Sequence, residues 1–95
     1  MTAVVWLPEA LDDVARLYNF LAEKNRDAAR RAASGIRHAA RHLQAFPDAG
    51  APMDDGVRRE VFVSFGAGAY VLRYRRNVKG DVVIIRVWHS QESRA

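Results

Sequence analysis

The chain contains no cysteine, so neither a disulfide framework nor a thiolate metal site can form, which fits a reducing compartment. Histidine is scarce as well, with three in the whole sequence. His38 and His42 have the i, i+4 spacing of a helical metal edge, but no third ligand accompanies them and Arg37 and Arg41 adjoin them. They are read as solvated, and neither a metal nor another cofactor is expected. No apolar run approaches the ~20 residues that cross a bilayer, and no charged-then-apolar leader opens the chain, so a cytoplasmic protein without a membrane partner is expected. Proline is limited to three positions, two of which, Pro8 and Pro47, stand where periodic segments start and stop.

What is present is compact in scale: 95 residues, 49% of them hydrophobic, enough for one modest core and a single domain over 1–95. The formal charge is +4, carried by thirteen arginines and only two lysines against eleven acids. It is uneven, because residues 1–55 hold seven basic and eight acidic side chains while 56–95 hold eight basic and three acidic. The second half therefore favours an anionic partner, nucleic acid or an acidic protein surface. Arginine suits bidentate phosphate and carboxylate recognition. The same bias also follows from genomic base composition.

Thr2 to Leu7 is a β-branched and aromatic run ended by Pro8, which suits the first turn of a helix. Leu11, Val14, Leu17, Tyr18 and Leu21 then recur at helical spacing, with Glu9, Asp12 and Asp13 where the helix dipole favours acids, up to Lys24 and Asn25. A second helix starts near Asp27, with Ala29, Ala32, Ile36, Ala40 and Leu43 as its buried stripe, and ends at Pro47. Its arginines Arg26, Arg30, Arg31, Arg37 and Arg41 are read as a solvated face, since Glu23 and Asp27 lie within i, i+4 reach of some of them. Tyr18, Phe20 and Tyr74 are read as core or rim aromatics. The turn-rich segment Phe46 to Gly56 is a loop. Three strands follow, Arg58 to Phe65, Ala69 to Arg76 and Val82 to His89, joined at Gly66–Gly68 and Asn77–Asp81. The expected fold class is α+β, β-α-α-β-β-β, a helical hairpin on one face of an antiparallel sheet.

Alternation assigns faces. Arg59, Val61, Val63 and Phe65 oppose Arg58, Glu60, Phe62 and Ser64; Tyr70, Leu72 and Tyr74 oppose Val71, Arg73 and Arg75; Val83, Ile85, Val87 and His89 oppose Val82, Ile84, Arg86 and Trp88. On this pattern Arg73, Arg75, Arg86, Trp88 and Phe62 gather on one uncovered surface, and unpaired guanidinium groups belong there rather than in a core.

This layout resembles the RelE/ParE superfamily of type II toxin–antitoxin toxins over essentially the whole chain, and the ParE branch most closely. The residues that carry the likeness are Pro8 to Val14, Leu43 to Gly50, Val57 to Arg59, Tyr70 to Arg75 and Ile85 to His89. The resemblance implies a growth-arresting, plasmid-stabilising toxin masked by a ParD-like antitoxin, with which it forms a hetero-oligomer. A ParE-like toxin is implied to bind DNA gyrase without catalysis, using Arg73, Arg75, Arg76, Arg86, Trp88 and the segment to Ala95. A RelE-like toxin is implied to cut messenger RNA on the ribosome, for which Arg58, Arg73, Arg86 and His89 are the candidates. Val71 and Ser90 depart from that second pattern, standing where arginine and tyrosine are expected. An inactive, antitoxin-binding protein of the same fold is the third reading. An amphipathic antitoxin helix is expected on Leu11, Val14, Leu17, Tyr18 and Phe62, or an added strand on an open sheet edge.

Overall fold

Pro8 occupies the first position of α1 (Pro8–Ala22), where its missing N–H leaves no hydrogen bond unmade. The Asn25 side chain accepts from the Ala28 N–H at 3.0 Å and so starts α2 (Arg26–Ala45), one residue ahead of the expected start. Before them lies β1 (Val4–Trp6), and after them β2 (Ala51–Pro52), β3 (Arg59–Phe65), β4 (Gly68–Arg76) and β5 (Val82–His89). The computed structural model describes residues 2–92. The strand order is β1-β5-β4-β3-β2. All pairings are antiparallel except β1 with β5, which is parallel, so the sheet is mixed at one edge. The two helices carry the chain from β1 at one edge of the sheet to β2 at the other, and the three long strands then return it to β1. The short β2 is the one part of the expected loop that becomes strand.

The core lies between the helices and one sheet face, where Leu17 and Ala10 from α1 and Ile36, Ala40 and Leu43 from α2 meet Tyr70, Leu72, Tyr74, Val82, Ile84 and Val87. A register shift alters the expected faces of β5. Arg73 pairs with Arg86 but Tyr74 pairs with Ile84, so Ile85 is an extra residue, a β-bulge. Val82 and Ile84 thereby face the helices together with Val87, whereas strict alternation had set them against it. The strand is apolar on both sides, so either phase satisfies its sequence.

The loop after α2 is tied down by Tyr74. Its hydroxyl donates to the Pro47 carbonyl at 2.8 Å and accepts from the Gly50 N–H at 2.9 Å, deep inside the fold. Gly50 is needed for this approach: a Cβ there would stand 2.6 Å from the Tyr74 ring. Tyr74→Phe is expected to leave the buried Gly50 N–H without an acceptor, costing about 1–3 kcal/mol. For a domain of this size that lowers Tm by roughly 4–20 °C in a thermal melt. A melt unchanged from wild type would show that the loop is held by other means.

Candidate functional site

The core positions of β3 and β4 leave Glu60, Phe62, Arg73 and Arg75 on the face away from the helices. Their states differ. The Arg73 guanidinium donates through Nε and Nη2 to Glu60 Oε2 at 2.9 and 2.8 Å, and it lies 4.9 Å over the Trp88 ring. Trp88 is only 9% exposed, so it is no protruding anchor; Phe62, at 63%, is the large apolar group this face presents. Arg76 is turned to the β4–β5 connection, donating to the Gly80 carbonyl and lying 3.8 Å from Asp48. Arg75 alone among these has no hydrogen bond or ion pair within the described residues. The implied contact segment to Ala95 falls outside the described residues from position 93 onward.

Arg86 is the clearest departure from the expected basic surface. Its Nε and Nη2 donate to Asp13 Oδ2 and Oδ1 at 2.8 and 3.1 Å. Asp13 is 4% exposed, and its Oδ2 also accepts the Val87 backbone N–H at 2.8 Å. Arg16 completes the group, donating to Asp13 and to the Val87 carbonyl and pairing with Glu92. The cause is topological: β1 pairs with β5 only as far as Ile84, so the β5 edge beyond it turns to α1 for partners. Burial pushes the Asp13 carboxyl up, but the hydrogen bonds from Arg86, Val87 and Arg16 and the charge of Arg86 outweigh it and hold the group below the usual carboxylate range. The same bonds raise Arg86.

The four residues of the nuclease reading do not converge. Arg58 is bound to Asp55, whose carboxylate accepts the Arg58 and Val57 backbone N–H groups and the Arg58 side chain and is lowered to about 2. Arg73 is held by Glu60 and Arg86 by Asp13. His89 pairs with Tyr70, while Arg59, the neighbour of Arg58, pairs with Tyr74. Those stations are four residues apart on β4, roughly 13 Å. His89 also faces the helix side, its ring edge-on to Tyr70 at 5.1 Å, in a pocket of about 600 Å³ shared with Leu17, Phe20, Phe65 and Glu92. There burial, with the nearby Glu92 charge, pushes the Tyr70 phenol up.

Between α1 and α2 runs an open groove of about 770 Å³ lined by Trp6, Leu11, Val14 and Tyr18, with Arg30 and Arg37 on its rim. Leu11, 54% exposed, is free for contact. Two of the residues expected with it are elsewhere. Leu17 is buried in the core, because it lies one helical step nearer the sheet than Tyr18, and Phe62 is on the opposite face of the sheet. Among the described residues no cluster of three or more potential metal ligands forms, and no helix is long and apolar enough to cross a membrane. Asp13 was missed as a site residue because it was assigned to the helix dipole. A signal existed: it falls in phase with Ala10 and Leu17 on the inward stripe.

A family model described as the ParE toxin of the type II toxin–antitoxin system, parDE, matches residues 4–94. Toxin RelE3 of Caulobacter vibrioides is 39% identical over 95 residues, which is 99% of this chain and 100% of that protein. Toxin RelE1 of the same organism is 34% identical over 82 residues, 86% of each. A solved structure titled the chromosomal ParDE TA system from P. aeruginosa superposes with a TM-score of 0.73 at 20% identity, covering 94% of this chain and 96% of that one, a likeness of fold. Sequence and fold agree, and the chain belongs to the ParE toxin family of type II toxin–antitoxin systems, within the RelE/ParE superfamily.

Proposed function

We propose that this toxin acts by binding DNA gyrase and holding its cleaved DNA complex, in the cytoplasm and without a cofactor, until a ParD-like antitoxin covers it. The observation that carries this reading is the dispersal of the nuclease candidates: three arginines each held by a carboxylate, and a histidine on the other side of the sheet. General acid chemistry needs a donor within hydrogen-bond reach of the leaving oxygen and cations around the same phosphate. Binding makes no such demand. Phe62, Arg75 and the Arg73–Glu60 pair, on an otherwise uncovered sheet face, are the contacts we assign to the target, with the aromatic ring as anchor.

The groove on α1 and α2 suits the antitoxin. Its floor is apolar and its rim is Arg30 and Arg37, so it fits an amphipathic helix with acids flanking the apolar stripe. Leu11, Val14 and Tyr18 are the residues we assign to that contact, joined by Trp6. The two Caulobacter relatives carry the RelE name, and this keeps ribosome-dependent cleavage as the second reading. One pair of assays separates them. Purified toxin is expected to inhibit supercoiling and accumulate cleaved DNA with gyrase, and primer extension on translated messages is expected to show no codon-phased cuts. Fully active gyrase at excess toxin, together with phased cuts, would replace the first reading with the second.

A further inference from the structure

Among the described residues, four of the arginines without an ion pair lie on α2 and one, Arg75, on the sheet. Of the five arginines on α2, only Arg30 has an ion pair within the described residues, at 3.3 Å to Asp27, and both side chains are well exposed, so that pair is worth little. Arg26, Arg31, Arg37 and Arg41 have no hydrogen-bond or ion-pair partner there. The Glu23 pairing that the sequence allowed is not formed. At about 100° per residue, Arg26, Arg30, Arg37 and Arg41 fall in an arc of roughly 60°, and at 1.5 Å per residue they span about 22 Å of one straight helix. All four are exposed.

We infer that the outer face of α2 is a phosphate-contacting surface for duplex DNA. This goes beyond the gyrase reading and does not require it. The composition of the face selects the partner. Its shallow groove of about 540 Å³ is lined by Arg30, Arg31, Ser34, Gly35, His38 and Arg41, with no aliphatic side chain and no Phe, Tyr or Trp. A single strand needs aromatic platforms for its bases and a membrane surface needs apolar insertion, and this shallow groove offers neither. A straight row of guanidinium groups matches a rigid line of phosphates, the contact that positions protein on a duplex without reading its bases; Arg30 and Arg37 also border the apolar groove assigned to the antitoxin, so the two partners would compete for them. B-form DNA has a groove wide enough to admit a helix face, whereas the deep, narrow major groove of A-form RNA does not.

The test is fluorescence anisotropy of the full chain with a labelled, mixed-sequence 20-base-pair DNA, in the absence of gyrase and between 50 and 200 mM salt. Wild type is expected to bind with log K falling against log salt at a slope of about −3 to −4, for four phosphates at about −0.9 each. The quadruple variant Arg26→Gln, Arg30→Gln, Arg37→Gln and Arg41→Gln is expected to lose about 30-fold or more at the lowest salt and to flatten that slope. Glutamine keeps helix propensity at these exposed positions, so its melt stays that of wild type. Arg75→Gln, on the sheet, changes the slope by about one at most. No binding by wild type at 50 mM salt, or equal binding by the quadruple variant, would overturn the inference. Tighter binding of single-stranded RNA or polyglutamate than of the duplex would overturn the choice of partner. Because gyrase is absent, a negative result here leaves the supercoiling assay to judge the proposed target independently.

Discussion

Asp13→Asn is expected to lower stability by about 3–5 kcal/mol, the range for breaking a largely buried pair when one charge is left behind. Near the lower end for an exposed Arg86 head, this still lowers Tm by roughly 12–24 °C in a domain of this length. The reason is the number of donors converging on one carboxylate: two from Arg86, one from Arg16 and the Val87 backbone N–H. An amide offers one acceptor and turns its own N–H groups toward donors. The pH dependence follows with a definite sign. Asp13 is held below its unfolded value, so its contribution is complete above a pH of about 4 and fades as pH falls through the folded value. Wild type should therefore lose stability below pH 4 more steeply than the variant, which has no proton to take up at this position. Parallel Tm curves for the two proteins from pH 5 to pH 2 would refute the clamp. Arg86→Gln should also destabilise, because it leaves the buried Asp13 carboxylate with only Arg16 and the Val87 N–H as donors.

Leu17→Asp is expected to abolish folding, and Leu11→Asp, six positions away on the same helix, is expected to leave the fold intact. Leu17 is 6% exposed within the core cluster, so the change combines a truncation costing about 2–5 kcal/mol with an unpaired buried carboxylate. The sum matches or exceeds the whole stability of an ordinary small domain. Leu11 is 54% exposed at the groove, where a charge is solvated. Its effect belongs to the antitoxin: an acidic group on the groove floor should weaken the complex by about tenfold or more, as loss of a central apolar contact does. Circular dichroism separates the two variants first. Titration calorimetry of folded Leu11→Asp with the antitoxin then tests the groove, and an unchanged Kd would place the antitoxin elsewhere.

Local pattern accounts for much of the architecture. The helical recurrence of Leu11, Val14, Leu17 and Leu21, the Ala-rich stripe of α2, the prolines at 8 and 47 and the glycine turn at 66 are each legible from neighbours a few residues apart, as are the three strands. They were enough to indicate the superfamily. The β5 bulge was not legible, since a strand apolar on both faces is satisfied in either phase and only its pairing with β4 decides which side chains enter the core. Leu17 and Tyr18 adjoin at the border of the inward stripe, and only packing against the sheet separates core from groove.

The sequence by itself determined the fold class, the superfamily and the abundance of arginine. Which arginines remain available was decided by tertiary structure alone. Glu60 meets Arg73 across two strands, and Asp13 meets Arg86 from 73 residues away, so the sheet cations expected to be free are mostly neutralised while those on α2 are mostly not. Helical and strand periodicity report which way a side chain points. Whether an opposite charge waits there depends on distances between segments that local pattern does not encode, and at a separation of 3 Å rather than 15 Å that distinction decides whether a guanidinium holds the fold together or is available to a partner.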